Sequence, residues 1–259
     1  MAEPKGAGSV SKTLNAAWMR PFLFLIFIVV AWDLTIRVFG IPAYQIPAPG
    51  DVVAVLWTDW PELLRQAWPT TYATICGFLL SAVFGIPVAM LIAGSKTVES
   101  YVYPLLVFSQ SVPKIAIAPL FVVWFGFGPF PKVLLTFLLC FFPTLVASMT
   151  GFRALDERVL FLTRSMGATW WQTFRHVRLP SALTYIFAGL KVSIVFASTG
   201  AIVGEFVGAN AGLGYLLLRG TSYLDMPLIF AVLVALSAVG ILFSYIVQWA
   251  ERALMPWQR

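Results

Sequence analysis

Six stretches of this chain are apolar for long enough to cross a hydrocarbon core, and most polar residues fall in the joints between them. A helix rises about 1.5 Å per residue, so roughly 20 apolar residues span a bilayer. The stretches are 22–39, 70–93, 101–125, 132–150, 185–207 and 227–249. Pro113, Lys114 and Pro119 interrupt the third. A break at that depth survives only against protein or a water-lined cavity, because lipid offers the backbone no hydrogen-bond partner. The run from Phe22 is too long for a signal-peptide core and no small-residue cleavage site follows, so it reads as a retained helix. The pattern predicts an all-α integral membrane fold with six transmembrane helices.

Two joints have a pattern of their own. Residues 40–69 open with Ile-Pro-Ala-Tyr-Gln-Ile-Pro-Ala-Pro, which is expected to be extended because proline restricts itself and its predecessor. Asp59 and Glu62 are placed to cap a short helix reciprocally, with Pro61 in its first turn, and Trp57, Trp60 and Trp68 suit interfacial helices at headgroup level. In the joint after the fourth span, Leu155, Val159, Leu162 and Met166 share one helical face, with Asp156 and Glu157 in the first turn and Arg164 in the last. Gly167 is suited to the left-handed residue that ends such a helix. Ala168 follows, and Thr169 with Gln172 predicts a capping box for a second helix. That helix carries Trp170, Phe174 and Val177 as a stripe, Trp171 on its flank and Arg175 and His176 opposite, and Leu179-Pro180 is expected to stop it.

So short a helix is marginal alone and must be held by something. The plainer reading is an interfacial helix with its tryptophans among headgroups; the sharper one is a protruding helix that fits a groove on another protein.

Composition agrees with a membrane protein: 60% of the residues are hydrophobic and 11% charged, against about 25% charged in soluble domains. The net charge of +6 does not form a nucleic-acid-binding stripe, because the basic residues are dispersed through the joints. With the N-terminus inside, Lys5, Lys12, Arg20, Lys96, Arg153, Arg158, Arg164, Arg175, Arg178, Arg252 and Arg259 lie in the cytoplasm. Arg65 and Arg219 remain outside, with Lys132 at a span edge. The asymmetry predicts both termini in the cytoplasm. Cys76 and Cys140 sit in apolar runs and read as buried thiols, not as a disulfide or metal site.

Ionisable groups inside spans are functional candidates. Lys114, beside Ser109, Gln110 and Ser111, offers a positive charge to an anionic solute if it faces a cavity; an ion pair or a carbonyl contact at a broken helix is the alternative. Glu205 is expected to pack against an outer loop before it contacts solute. Lys191 is placed to snorkel, and Asp33 and Arg37, four apart, to neutralise each other. Ala197, Ser198, Gly200, Ala201 and Gly204 make the fifth span narrow, which suits close helix contact and a pathway lining together. No Gly-x4-Gly-Lys-Ser/Thr occurs, so no phosphate loop of that kind is present.

Gly167-Ala168, Trp171-Gln172, Phe174, Val177 and Leu179-Pro180 resemble the EAA loop of bacterial ABC importer permeases. Gly167, Val177, Leu179 and Pro180 stand at that motif's intervals, but Phe161, Leu162 and Thr163 replace its Glu-Ala-Ala. Ser109 to Lys114, Ala118 to Phe121, Trp124 to Gly128, Gly200 to Glu205 and Gly212 to Tyr215 are similar to the nitrate, sulfonate and taurine branch, which also includes permeases for pyrimidine vitamin precursors and aromatic acids. The resemblance implies a type I importer permease fold, with a coupling-helix loop between the fourth and fifth helices. It implies a second permease copy, an ATPase dimer that carries ATP and Mg, an external solute-binding protein and no cofactor on this chain. Arg164, Gly167, Ala168, Thr169, Trp171, Gln172, Phe174, Val177, Leu179 and Pro180 are the expected ATPase-coupling residues, and Ser109, Gln110, Lys114, Ser198 and Glu205 the expected translocation path. The expected layout is a cytoplasmic tail over 1–20, a first helix and outer loop over 21–67, the permease domain over 68–249 and a cytoplasmic tail over 250–259, in a bacterial inner membrane. The expected solute is a small organic anion of nitrate, sulfonate or taurine type, with a pyrimidine or other vitamin precursor or an aromatic carboxylate as alternatives. An exporter, a passive channel and an integral membrane enzyme are the rival classes. The enzyme finds little support, since the polar groups Lys114, Glu205, Ser109 and His176 are scattered, with no paired carboxylates or metal-ligand spacing.

Overall fold

The computed structural model describes residues 8–258, and no strand occurs among them. Eleven α-helices follow one another: α1 (Gly8–Phe39), α2 (Pro49–Thr58), α3 (Trp60–Ala93), α4 (Lys96–Ser111), α5 (Ala118–Phe125), α6 (Pro129–Arg153), α7 (Glu157–Ser165), α8 (Trp170–Thr173), α9 (Leu179–Gly208), α10 (Leu213–Tyr223) and α11 (Met226–Leu254). Among the described residues, four helical stretches are long and apolar enough to cross a membrane: α3, α6, 170–208 and α11. A fifth span results if α4 and the 114–125 segment are one broken crossing. The sequence-predicted run 22–39 lies within α1, which begins already at Gly8; residues 1–7 of the expected tail lie outside the described residues.

Contacts divide the chain into two units, residues 1–60 with 220–231, and residues 61–219 with 232–259. In the smaller unit, Trp32 and Phe230 pack ring to ring at 5.5 Å, and Asp33 holds Arg37 at 2.7 Å across one helical turn. The segment between α1 and α2 turns in its middle, where Gln45 N–H bonds Pro42 O at 2.9 Å, and is extended at Ala48, since the fixed φ of proline suits a turn as well as an extended strand. The Asp59–Glu62 capping box does not form. The Asp59 N–H instead bonds Val55 O and closes α2, while Glu62 accepts from Gln66 Nε2 at 2.8 Å and pairs with Arg65.

In the larger unit, α6 lies between α3 and α9 with small residues at the contacts. A Cβ on Gly200 would stand 2.8 Å from Thr136 Cα, so only glycine admits α6 at that distance. Hydroxyls satisfy one another inside this seam: Thr144 Oγ1 and Ser193 Oγ lie 2.7 Å apart, and Ser193 Oγ donates to Cys140 O at 3.2 Å. Around them Leu145, Met149, Ile186, Phe187, Phe243 and Val247 form the apolar core. Arg153 bonds Glu99 at 2.5 Å and Lys191 pairs with Glu251, tying α6 to α4 and α9 to α11. Lys191 is therefore an ion-pair partner as well as a long side chain at a span end.

The expected break in the third span is present. Helix α4 ends at Ser111, a single 3-10 turn covers Lys114–Ile117, and the direction changes by 76° before α5 continues.

Candidate functional site

Helices α7 and α8 and the turn between them form a hairpin. Asp156 starts α7 by accepting from Arg158 N–H at 2.9 Å. Gly167 ends it at φ +77°, with its N–H on Arg164 O at 3.0 Å. The predicted capping box is complete: Thr169 Oγ1 accepts from Gln172 N–H at 3.3 Å, and Gln172 Oε1 accepts from Thr169 N–H at 2.8 Å. Trp170 stacks on Phe174 at 5.4 Å with the rings nearly parallel, and Phe174 reaches Phe152 of α6 at 6.5 Å. That stack packs the start of the helix against α6.

One expectation about this helix is overturned. Leu179-Pro180 does not stop it: residues 174–178 form a single π turn, with Leu179 N–H bonding Phe174 O, and the helix runs on as α9. In a regular α-helix the Pro180 ring would crowd the carbonyl four residues back. The wider turn removes that register, so the helix continues through the proline.

The apolar face of α7 is not buried against this chain. Phe161, Leu162 and Met166 are exposed, as are Trp170 and Trp171 on α8. Thr163, Met166, Gly167, Gln172 and Val177 line a groove between the two helices.

The expected path residues separate into three places. Gln110 and Lys114 line an open hollow of about 530 Å³ together with Phe142, Gly189, Val192 and Phe196. There the Lys114 ammonium lies 4.5 Å over the Phe142 ring and 3.4 Å from Gln110 O, the carbonyl contact at a broken helix. Ser109 turns its hydroxyl back onto Leu105 O at 2.7 Å. Ser198 borders a different groove with Thr199, Ser237 and Ser244, while its neighbours Ala197, Gly200 and Ala201 are buried. The narrow stretch thus has one packed face and one open face.

Glu205 is fully buried. Its carboxylate accepts from Thr70 Oγ1 at 2.9 and 3.0 Å and from Gly214 N–H at 2.7 Å. Thr70 Oγ1 accepts from Leu213 N–H at 2.9 Å, Gln66 Oε1 from Gly212 N–H at 2.7 Å, and Lys132 donates to Ala211 O at 3.0 Å. The arrangement is a clasp on the 209–214 segment, as the loop-packing reading expected. Protein donors occupy both carboxylate oxygens of Glu205 in this conformation. Gln66, Thr70 and Lys132 belong to the clasp and were missed in the sequence; the signal was there in Gln66 and Thr70, polar and four apart at the head of an apolar run.

A model of the family described as binding-protein-dependent transport system inner membrane component matches residues 81–259. This chain belongs to that family. The permease is 38% identical to the formylaminopyrimidine transport permease ThiX of Halalkalibacterium halodurans over 93% of this chain and 96% of that one. It is 32% identical to the riboflavin transport system permease RibX of Chloroflexus aurantiacus, over 90% of this chain and 88% of the relative. It is 30% identical to the putative aliphatic sulfonates transport permease SsuC of Bacillus subtilis, over 100% and 98%. Among solved structures, an inward-facing form of the MetNI methionine ABC transporter matches with a TM-score of 0.62 at 21% identity, covering 78% of this permease and 97% of that chain. The fold is that of a type I ABC importer permease, and the protein is a multi-pass inner-membrane transport subunit.

Proposed function

We propose that this permease passes a small heteroaromatic solute, delivered by an external binding protein, and that the 164–180 hairpin couples the passage to a separate ATPase dimer. The observation that carries the coupling is the capped α8 with Trp170 and Trp171 exposed beside the Gly167 turn. Large exposed aromatics on a rigid, capped helix are the anchors that a groove on a partner accepts. The ATPase supplies ATP and Mg, a second permease copy completes the pathway, and both termini lie in the cytoplasm by the distribution of basic residues.

Two facts support the heteroaromatic reading over the anion. The relative at 38% identity is named for a formylaminopyrimidine. The open hollow at the break in the third span is lined by Phe142, Phe196 and Val192, with a single ammonium and one carboxamide as its polar groups. Apolar walls with a few placed polar groups suit a flat ring with an acceptor edge. Lys114 and the sulfonate relative favour a small organic anion as a second reading.

Trp171→Asp tests the coupling. The variant is expected to insert normally, yet lose co-purification with the cognate ATPase and lose uptake. Wild-type uptake in the variant overturns the reading. Competition for uptake between a pyrimidine and ethanesulfonate, with the cognate binding protein present, separates the two solutes.

A further inference from the structure

Beside the aromatic face of α8 is a second, smaller pocket of about 240 Å³, lined by Leu160, Arg164, Ala168, Trp170, Thr173 and Arg178. It brings together two guanidinium groups from the two arms of the hairpin. Arg164 is exposed at the rim and Arg178 is partly buried. Inside, Arg178 Nε and Thr173 Oγ1 are buried with no hydrogen-bond partner. A native protein seldom leaves a charged donor and a hydroxyl without partners in the same pocket unless a partner comes from elsewhere.

The chain has little to offer them. From 158 to 204 there is no Asp or Glu, while Arg158, Arg164, Arg175 and Arg178 all fall in the hairpin. The ion pairs among the described residues join Arg37, Arg65, Arg153 and Lys191 to acids, and none involves Arg164 or Arg178. Of the two acids that precede this stretch, Asp156 caps α7 and Glu157 is the first residue of that helix. The hairpin is therefore a cationic surface with an unfilled demand for acceptor oxygens.

We infer that the pocket between Arg164 and Arg178 receives a carboxylate side chain from the ATPase subunit. The inference rests on the coupling role proposed for the hairpin and specifies its chemistry. The guanidinium fork matches a carboxylate bidentately, and the Thr173 hydroxyl supplies a further donor. Trp170 lies on one side of the pocket, where it shields the pair from water and lowers the local dielectric. Shape recognition by the tryptophans and charge recognition by the arginines are then neighbouring parts of one surface. The same geometry accounts for Phe-Leu-Thr at positions 161–163: the charge that meets Arg164 and Arg178 is supplied from the opposite partner.

The test uses the full permease in nanodiscs with its cognate ATPase. Arg164→Gln/Arg178→Gln is expected to raise the dissociation constant by at least about tenfold, as loss of a charge-assisted hydrogen bond does, and to flatten its salt dependence. Arg178→Glu should abolish association, and reversing one acidic residue of the ATPase groove to Arg should restore it. Unchanged affinity in the Gln pair, with Trp171→Asp still defective, overturns the inference and leaves the coupling role standing. Unchanged affinity in all of these variants overturns the coupling role itself. If the Gln pair keeps the ATPase but loses binding of phosphatidylglycerol in place of phosphatidylcholine, the pocket holds a lipid headgroup and the inference falls.

Discussion

At the scale of single residues, Glu205 shows how a membrane span holds a carboxylate. It has no exposed surface, and three donor contacts from Thr70 and Gly214 surround it. Removing the acceptor strands those donors. Glu205→Ala should therefore destabilise the permease by about 1–3 kcal/mol for each donor left unpaired. Glu205→Gln should lose less, because an amide oxygen still accepts. Thermal unfolding in detergent, with proteolysis of the 209–214 segment as a second readout, checks both. Equal melting of Glu205→Ala and wild type would remove the clasp as a source of stability. The loop-packing role of Glu205 was legible from its place near a span end followed by Gly212 and Gly214. Its partners were harder to foresee, since Gln66 and Thr70 are distant in sequence and only the fold brings them to Gly212 and Leu213.

At the scale of elements, the hairpin was the most legible part of the chain because its signals are local. Capping box, left-handed glycine and aromatic stripe each depend on residues within a turn or two, and all three are present. The helix stop at Leu179-Pro180 failed for the complementary reason. Proline opposes an α-helical register, but it does not forbid a wider turn, and the apolar run that follows favours continuation. The same local logic gives a prediction at Gly167. A Cβ there meets nothing within 4 Å, so Gly167→Ala costs only the left-handed backbone, about 1–2 kcal/mol. Gly167→Pro is far worse: it imposes a negative φ and removes the N–H that bonds Arg164 O. Uptake should fall modestly in the first and vanish in the second, with both chains still inserted. Matching uptake in the two variants would mean that the turn does not set the position of α8.

At the scale of the whole molecule, four of the six expected spans, and a fifth if the bent pair is one crossing, are long and apolar enough among the described residues, whereas their pairing was readable only in part. Lys132, Thr136, Cys140, Thr144 and Ser148 recur every four residues along α6. That stripe is the seam: all five are buried, and the hydroxyls of Thr144 and Ser193 meet within it. Nothing in the stripe itself says which helices it faces, because small residues also occur on α3 and α11. The seam predicts a contrast between two glycines. Gly200→Val should cost about 1–3 kcal/mol or more by overpacking, since its Cβ would press on the backbone of Thr136. Gly240→Val, whose Cβ meets nothing within 4 Å, should melt like the wild type in detergent. Similar melting of the two variants would refute the seam as the packing centre.

The uninterrupted helix over 170–208 has a further consequence, in how it tolerates insertions and deletions. Its 39 residues form a shaft about 58 Å long at 1.5 Å per residue, with Trp171 near one end and Glu205 near the other. Along such a shaft each residue sets an angle as well as a height, about 100° per position. A residue gained or lost within the regular part would turn the tryptophan face away from its present bearing relative to the clasp. The π turn at 174–178 is the exception, because it already contains one residue more than an α-helical turn. Losing one residue there, with Pro180 replaced so that its ring no longer opposes the regular register, would convert it to an α turn and leave both ends in phase. The chain can therefore change length at this point without changing the angle between its two ends.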